Sequence, residues 1–439
     1  MGLARERTMR RWVMVLWVAV AATACKEEIV CPTGWTLCGG QCVDPALDAG
    51  NCGACGVSCG AGEACRSGAC TSCALACGDG QACEHGVCRA AVYVACFATN
   101  DVRGVTASLD SAGPGRPVSD GPIALAWAAD RLWVTHSLPP PVVLGFEPNV
   151  DGEVQITLGG GDLEEVAGAH GRVHVSNAMS STLVVIDPDH GVRDEIPLAP
   201  SPGVAANPRG VAVTGDVAVV ALYGPVTPAF GQGQEIVLVD VAPSAACTEP
   251  PCGSVTRRIS LDVQPGDDTP GAYDPPGFPF PAYVATVGTR AFVTLANLKE
   301  SCGDFGCYYT DPAGDGRLAV VDTTAPLAAP SFVDLGAGCV NPGSIAVDGT
   351  TLWISCGGSG AILPVDASGP TPVPGSPVPI ALTPGAIAAC GGQVYVGDQY
   401  SGQVARVAAS GGDPLVASVC TGGPYFDWAA DVLCTGAAP

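Results

Sequence analysis

At 439 residues the chain can hold a short leader, a small module and one large domain. Its composition, 47% hydrophobic and only 14% charged, excludes a disordered protein. Asp and Glu outnumber Lys and Arg by 42 to 19, a formal net charge of −23, which argues against nucleic acid as a partner because phosphate contacts need clustered basic side chains. The 59 Gly and 39 Pro follow no collagen-like period and read as turn punctuation.

Residues 1–24 read as an export signal, with Arg5, Arg7, Arg10 and Arg11 ahead of an apolar run over 12–22 and then small residues. The run is too short to span a membrane. Ala22-Thr23-Ala24-Cys25 resembles a bacterial lipobox, with Ala22 where the pattern usually carries Leu. That resemblance implies cleavage before Cys25, lipidation of its sulfur and an anchor of two or three acyl chains. An exported protein anchored in a bacterial membrane, at the outer membrane or cell surface, is the expected location. An ordinary secretory signal with Cys25 incidental is the alternative. The Arg10-Arg11 pair invites a twin-arginine route, but numerous disulfides argue against folding in a reducing cytoplasm. Setting Cys25 aside from the 23 cysteines leaves an even number for pairing.

Residues 25–90 form a cysteine-rich module. Cys55, Cys59, Cys65 and Cys70 follow C-x3-C-x5-C-x4-C, and Cys73, Cys77, Cys83 and Cys88 repeat the pattern. A leader carries Cys31, Cys38, Cys42 and Cys52. Large apolar residues are too few to make a core, so cross-links must hold the unit together, as disulfides or as zinc sites at the C-x2-C pairs Cys52/Cys55 and Cys70/Cys73. Export and the Gly-rich loops favour disulfides, whose connectivity the spacing does not give. The segment from Cys31 to Cys70 resembles the cysteine-rich module of the stigma-specific protein family, which implies an extracellular spacer or adhesive module. Gly56-Val57-Ser58-Cys59-Gly60 spells G-x-S-x-G, without the strand-turn-helix setting a nucleophile elbow needs.

Residues 91–439 are built from repeats. The segments VYVAC, RLWVTH, RVHVSN, DVAVVA, RAFVTL, TLWISC and QVYVGD place Tyr93, Trp133, His174, Ala218, Phe292, Trp353 and Tyr395 at one recurring position, with a basic period of about 40 residues. First strands are expected at 123–127, 210–213, 344–347 and 386–389, and third strands at VVLGF, TLVVID, EIVLVD, RLAVVD, AILPVD and QVARV. Helical periodicity is absent. The fold class is therefore all-β, a seven-bladed β-propeller. The first repeat lacks its own first strand, and 425–430 is expected to supply it as the innermost strand of the blade begun at Val92. HVSNAMSSTLVVIDPDHG, LWVTHS and NPRGVAVTGD resemble the repeat of the YVTN family of bacterial surface-layer propellers, which implies fold more than function.

Disulfides are expected here too: Cys339 with Cys356, Cys247 with Cys252, Cys302 with Cys307, Cys420 with Cys96 or Cys434, and Cys390 with whichever thiol remains. Three insertions, 223–234, 264–281 and 297–316, should open on one face. They supply the candidate binding residues Tyr223, Phe230, Asp267, Asp268, Tyr273, Asp274, Phe278, Asp304, Phe305, Tyr308 and Tyr309. Aromatic rings and carboxylates on a rigid scaffold suit a protein or glycan partner, although a lid packed on itself explains them equally. Clustered Asp311, Asp315 and Gly316 leave calcium as an alternative, although their spacing does not match an EF-hand loop; the first reading includes neither metal nor cofactor. The first reading is a non-catalytic binding scaffold. Its rival is a metal-assisted hydrolase or lyase using His136, His170 and His174, although a packed ring is the simpler account of His174.

Overall fold

The computed structural model describes residues 31, 36–39, 41–43, 45, 50–60, 63–66, 68–72, 81–84, 87–147, 153–201, 203–224, 234–242, 250–261, 278–303, 306–325, 328–421 and 428–435. The chain divides into two compact units, Met1–Thr71 and Ser72–Pro439. All described regular structure is β.

In the first unit, Thr36–Cys38 pairs antiparallel with Gln41–Val43, and Glu63–Arg66 pairs with Ala69–Ser72. Disulfides Cys38–Cys55, Cys52–Cys65 and Cys59–Cys70 interleave, each closing a loop that overlaps the next. The Cys52, Cys59 and Cys70 sulfurs lie within 4.8 Å of one another because two bridges stack, and those thiols are spent on disulfides rather than on zinc.

The second unit is a propeller of seven antiparallel sheets. Blade 1 comprises Ala429–Cys434, Val92–Cys96, Asp101–Val105 and Arg116–Pro117, so the C-terminal strand closes the ring from inside. Of the expected strand 425–430, residues 425–427 lie outside the described residues; the described strand pairs Ala429 opposite Cys96 and Cys434 opposite Val92. Blades 2 to 7 begin with the inner strands Pro122–Ala128, Leu163–Ala169, Pro208–Thr214, Pro281–Val287, Pro342–Asp348 and Pro384–Cys390.

Sheets stacked around an axis bury their middle strands on both faces, so these strands are continuously apolar rather than alternating. Arg131–His136, Arg172–Asn177, Val217–Leu222, Arg290–Leu295, Thr351–Cys356 and Gln393–Asp398 are each buried from their second residue to their last. Outer strands such as Gly191–Pro197 alternate, as one-sided strands must. The Asp that ends many third strands has a local cause: Asp187, Asp240, Asp322 and Asp366 each accept the N–H two residues on, which fixes the outer turn. Arg131 and Arg290 donate to carbonyls in the next blade's outer turn, tying blade to blade.

Every inner strand shifts register between its first residue and its third or fourth. Five of them open with Pro, which is tolerated beside a bulge because it has no N–H to contribute. The bulge turns the second and third residues of each inner strand toward the axis. There a channel replaces a hydrophobic core.

Candidate functional site

All three insertions leave the propeller on one face. Residues 223–234 and 296–316 join second to third strands in blades 4 and 5, and 261–280 joins blade 4 to blade 5. The inner strands begin on this same face. Within the third insertion, Leu298–Gly303 and Gly306–Pro312 form a hairpin that sets Cys302 opposite Cys307. Phe278 exchanges two backbone hydrogen bonds with Leu298, tying the hairpin base to the preceding insertion. Phe230, Asp267, Asp268, Tyr273, Asp274, Asp304, Phe305 and Cys247 lie outside the described residues, as do the side chains of Cys302, Cys307, Tyr308 and Tyr309. Cys252 is disulfide-bonded, and Cys339 is bonded to Cys356, Cys96 to Cys420 and Cys390 to Cys434.

Tyr223 packs inward. Its ring meets Phe280 edge-on at 5.6 Å, and the Arg209 guanidinium lies 4.8 Å from its centroid. Arg209 also pairs with Glu164. Tyr223 stands at the mouth of the axial channel, in a recess of about 360 Å³ lined also by Tyr283, Gln399 and Trp428. The recess continues into a narrower space of 120 Å³ bounded by Glu164, Glu165, Arg209, Tyr283 and Asp431. Below it lies a 260 Å³ chamber that Glu165, Tyr283 and Asp431 also line.

Glu165, Tyr283 and Asp431 occupy the third position of the inner strands of blades 3, 5 and 1, where the other four blades carry Ala124, Gly210, Ser344 and Ala386. Second-strand hydroxyls hold the bulged backbone: the Glu165 N–H donates to Ser176 Oγ at 2.9 Å and the Tyr283 N–H to Thr294 Oγ1 at 3.2 Å. Asp431 is anchored by the Leu125 and Val432 N–H groups, at 2.7 and 2.8 Å.

Enclosure by protein raises the Glu165 carboxyl well above the ordinary carboxylate range, and the nearby Asp431 charge raises it further. Enclosure also raises Asp431, against the two N–H donors that favour its charged form. Tyr283 is pushed up by burial and then by Glu165. Its side chain is nonetheless 37% exposed, so water enters the channel and part of this push is relieved by solvent.

The histidines expected to meet do not. His136 ends its second strand opposite Pro122, on the insertion face, and its Nδ1 donates to the Val142 carbonyl at 2.9 Å. His170 sits in the turn between first and second strands, at the far end of the blade, where its Nε2 donates to the Gly215 carbonyl at 2.6 Å. His174 is 1% exposed inside the sheet, and burial lowers its pKa to about 4. Three rings at different depths cannot share one metal, so the expected constellation does not form. The propeller period places them in neighbouring blades but not at one height.

Residues 15–73 match the stigma-specific STIG1-like protein family. No curated protein matches the chain. Among solved structures, a protein from Lactobacillus plantarum superposes with a TM-score of 0.52 at 15% identity, over 78% of this chain and 98% of that one. Hydrazine synthase of Kuenenia stuttgartiensis gives 0.51 at 15% identity, over 70% and 89%. A catalytically inactive virginiamycin B lyase from Staphylococcus aureus gives 0.47 at 12%, over 71% and 93%. At these identities the likeness is one of fold. The class so defined is a STIG1-like cysteine-rich segment followed by a seven-bladed β-propeller.

Proposed function

We propose that this is an exported, non-catalytic binding protein, tethered by a lipid on Cys25, spaced from the membrane by its disulfide module, and taking a protein or glycan partner on the insertion-bearing face of the propeller. The observation that carries the reading is the mouth of the axial channel. An aromatic recess opens on the face where blades 4 and 5 send out their long segments. Leu138, Met179, Val204 and Tyr400 stand exposed in loops of that same face. Ringed apolar side chains on a rigid scaffold suit recognition better than chemistry.

The test is capture with residues 26–439 as bait beside a version whose three insertions are replaced by short turns. Partners retained by the first and lost by the second support the reading. Equal retention moves the functional site to the cysteine-rich module. Mass analysis of the processed N-terminus tests the anchor, which requires a diacylglycerol on Cys25.

A further inference from the structure

We infer that the axial channel binds a primary alkylammonium group, held by Glu165 and Asp431. This rests on reading the insertion-bearing face as the binding face and names the chemistry its channel accepts.

The three spaces along the axis are continuous: the recess and the constriction share Tyr223 and Tyr283, and the constriction and the lower chamber share Glu165, Tyr283 and Asp431. The two carboxylates therefore sit beneath an open mouth. Glu164, at the same level, is neutralised by Arg209. Among the described residues no Lys, Arg or His forms an ion pair with Glu165 or Asp431. Two like charges enclosed in a narrow channel repel strongly, and a bound cation relieves them.

The lining selects the kind of cation. A hard metal ion wants several oxygen ligands at short range. Yet among the described residues the one group of three His, Cys, Asp or Glu side chains close enough to share an ion is Cys52, Cys59 and Cys70, in the other unit. An ammonium needs three acceptors or ring faces rather than a coordination sphere, and two carboxylates with the Tyr283 phenol supply them. A stem entering from the mouth lies in the recess above them, against Ile123, Tyr223, Tyr283 and Ala386. Carboxylates beneath an apolar and aromatic recess match an amine on an alkyl stem, whether a free amine or the lysine side chain of a partner.

The test is calorimetric titration of the full chain with n-hexylammonium chloride at pH 8, against hexan-1-ol and calcium chloride. The expected result is saturable amine binding at least tenfold tighter than that of the alcohol. E165Q and D431N should each weaken it tenfold or more, and the exposed outer-strand variant E195Q should leave it unchanged. If either channel variant fails to fold, the unaltered chain titrated at pH 5 replaces it, where protonation of the pair should weaken binding by the same order. Nα-acetyl-lysine amide binding as hexylammonium does identifies a protein side chain as the source, and binding of hexylammonium alone identifies a free amine. Equal affinity for the alcohol, indifference to both substitutions, or displacement of the amine by calcium overturns the proposal. Amine binding without insertion-dependent capture sinks the docking reading alone, and the reverse sinks this inference alone.

Discussion

Cys434, the last residue of the closing strand, is disulfide-bonded to Cys390, the last residue of the inner strand of blade 7. Just upstream of the same strand, Cys420 is bonded to Cys96 on its pairing partner. The strand that closes the ring is therefore stapled on both sides. In the loop-entropy model a cross-link stabilises more as its loop lengthens, within about 2–5 kcal/mol. Sequence separations of 324, 44 and 17 rank Cys96–Cys420 first, Cys390–Cys434 second and Cys339–Cys356 third. Paired Cys→Ala variants should lose thermal stability in that order, with Tm lowered by about 5–10 °C for the first. Calorimetry checks this, and an inverted order would show that the ring closes well without its staples.

The channel carboxylates make stability depend on pH in a direction opposite to that of ordinary ion-paired acids. Enclosure raises Glu165 and Asp431, so folding favours their protonated forms. Their contribution is fully present below the ordinary carboxylate pKa and is lost as pH climbs through the raised values. Glu164, Arg209, Tyr223 and Tyr283 face the same space and modulate the pair. The E165Q/D431N variant should match the unaltered protein near pH 4 and exceed it in Tm by pH 8. Parallel Tm curves across that range would show that solvent in the channel screens the pair completely.

The blades were legible because a strand sandwiched between sheets must be apolar on both faces, and strands such as RLWVTH and TLWISC announce this wherever they recur. The channel was not legible, for a related reason. Each inner strand bulges at its second and third residues, so alternation fails there, and the apolar pattern starts at Gly210, Ser344 or Ala386 rather than at the preceding Pro. Glu165, Tyr283 and Asp431 sit at this break in the pattern, where no periodicity marks them as facing a channel. Aligned on their opening residue, the inner strands carry a carboxylate at the third position of blades 3 and 1 and Ala124, Gly210, Tyr283, Ser344 and Ala386 in the others. The histidine grouping failed because repeat spacing gives the blade but not the height along the strand.

Gly210 lies against the inner strand of blade 5 beside the channel. A Cβ there would lie 2.7 Å from the Tyr283 Cα and closer still to the Ala282 carbonyl, both backbone atoms that cannot swing away. G210A should therefore cost about 1–3 kcal/mol as overpacking and shift Tyr283 within the channel. Urea denaturation measures the first effect, and loss of hexylammonium affinity measures the second. An unchanged midpoint would mean that the blades separate freely, against the close packing between them.

His174 occupies the position held by Trp133, Phe292, Trp353 and Tyr395 in other blades, and its Nδ1 is buried without a hydrogen-bond partner. Burial depresses its pKa to about 4, so the folded protein keeps it neutral. A depressed histidine contributes stability above its unfolded value of about 6.5 that is lost as pH falls toward the folded one. H174F should remove both the unpaired nitrogen and this acid sensitivity. The expected gain is about 1 kcal/mol at pH 7, from relief of the buried polar atom, and more at pH 4.5. Urea denaturation at the two pH values separates the terms. If H174F instead destabilises equally at both, the site is too tight for a larger ring, and the smaller H174L should recover the acid-side gain alone.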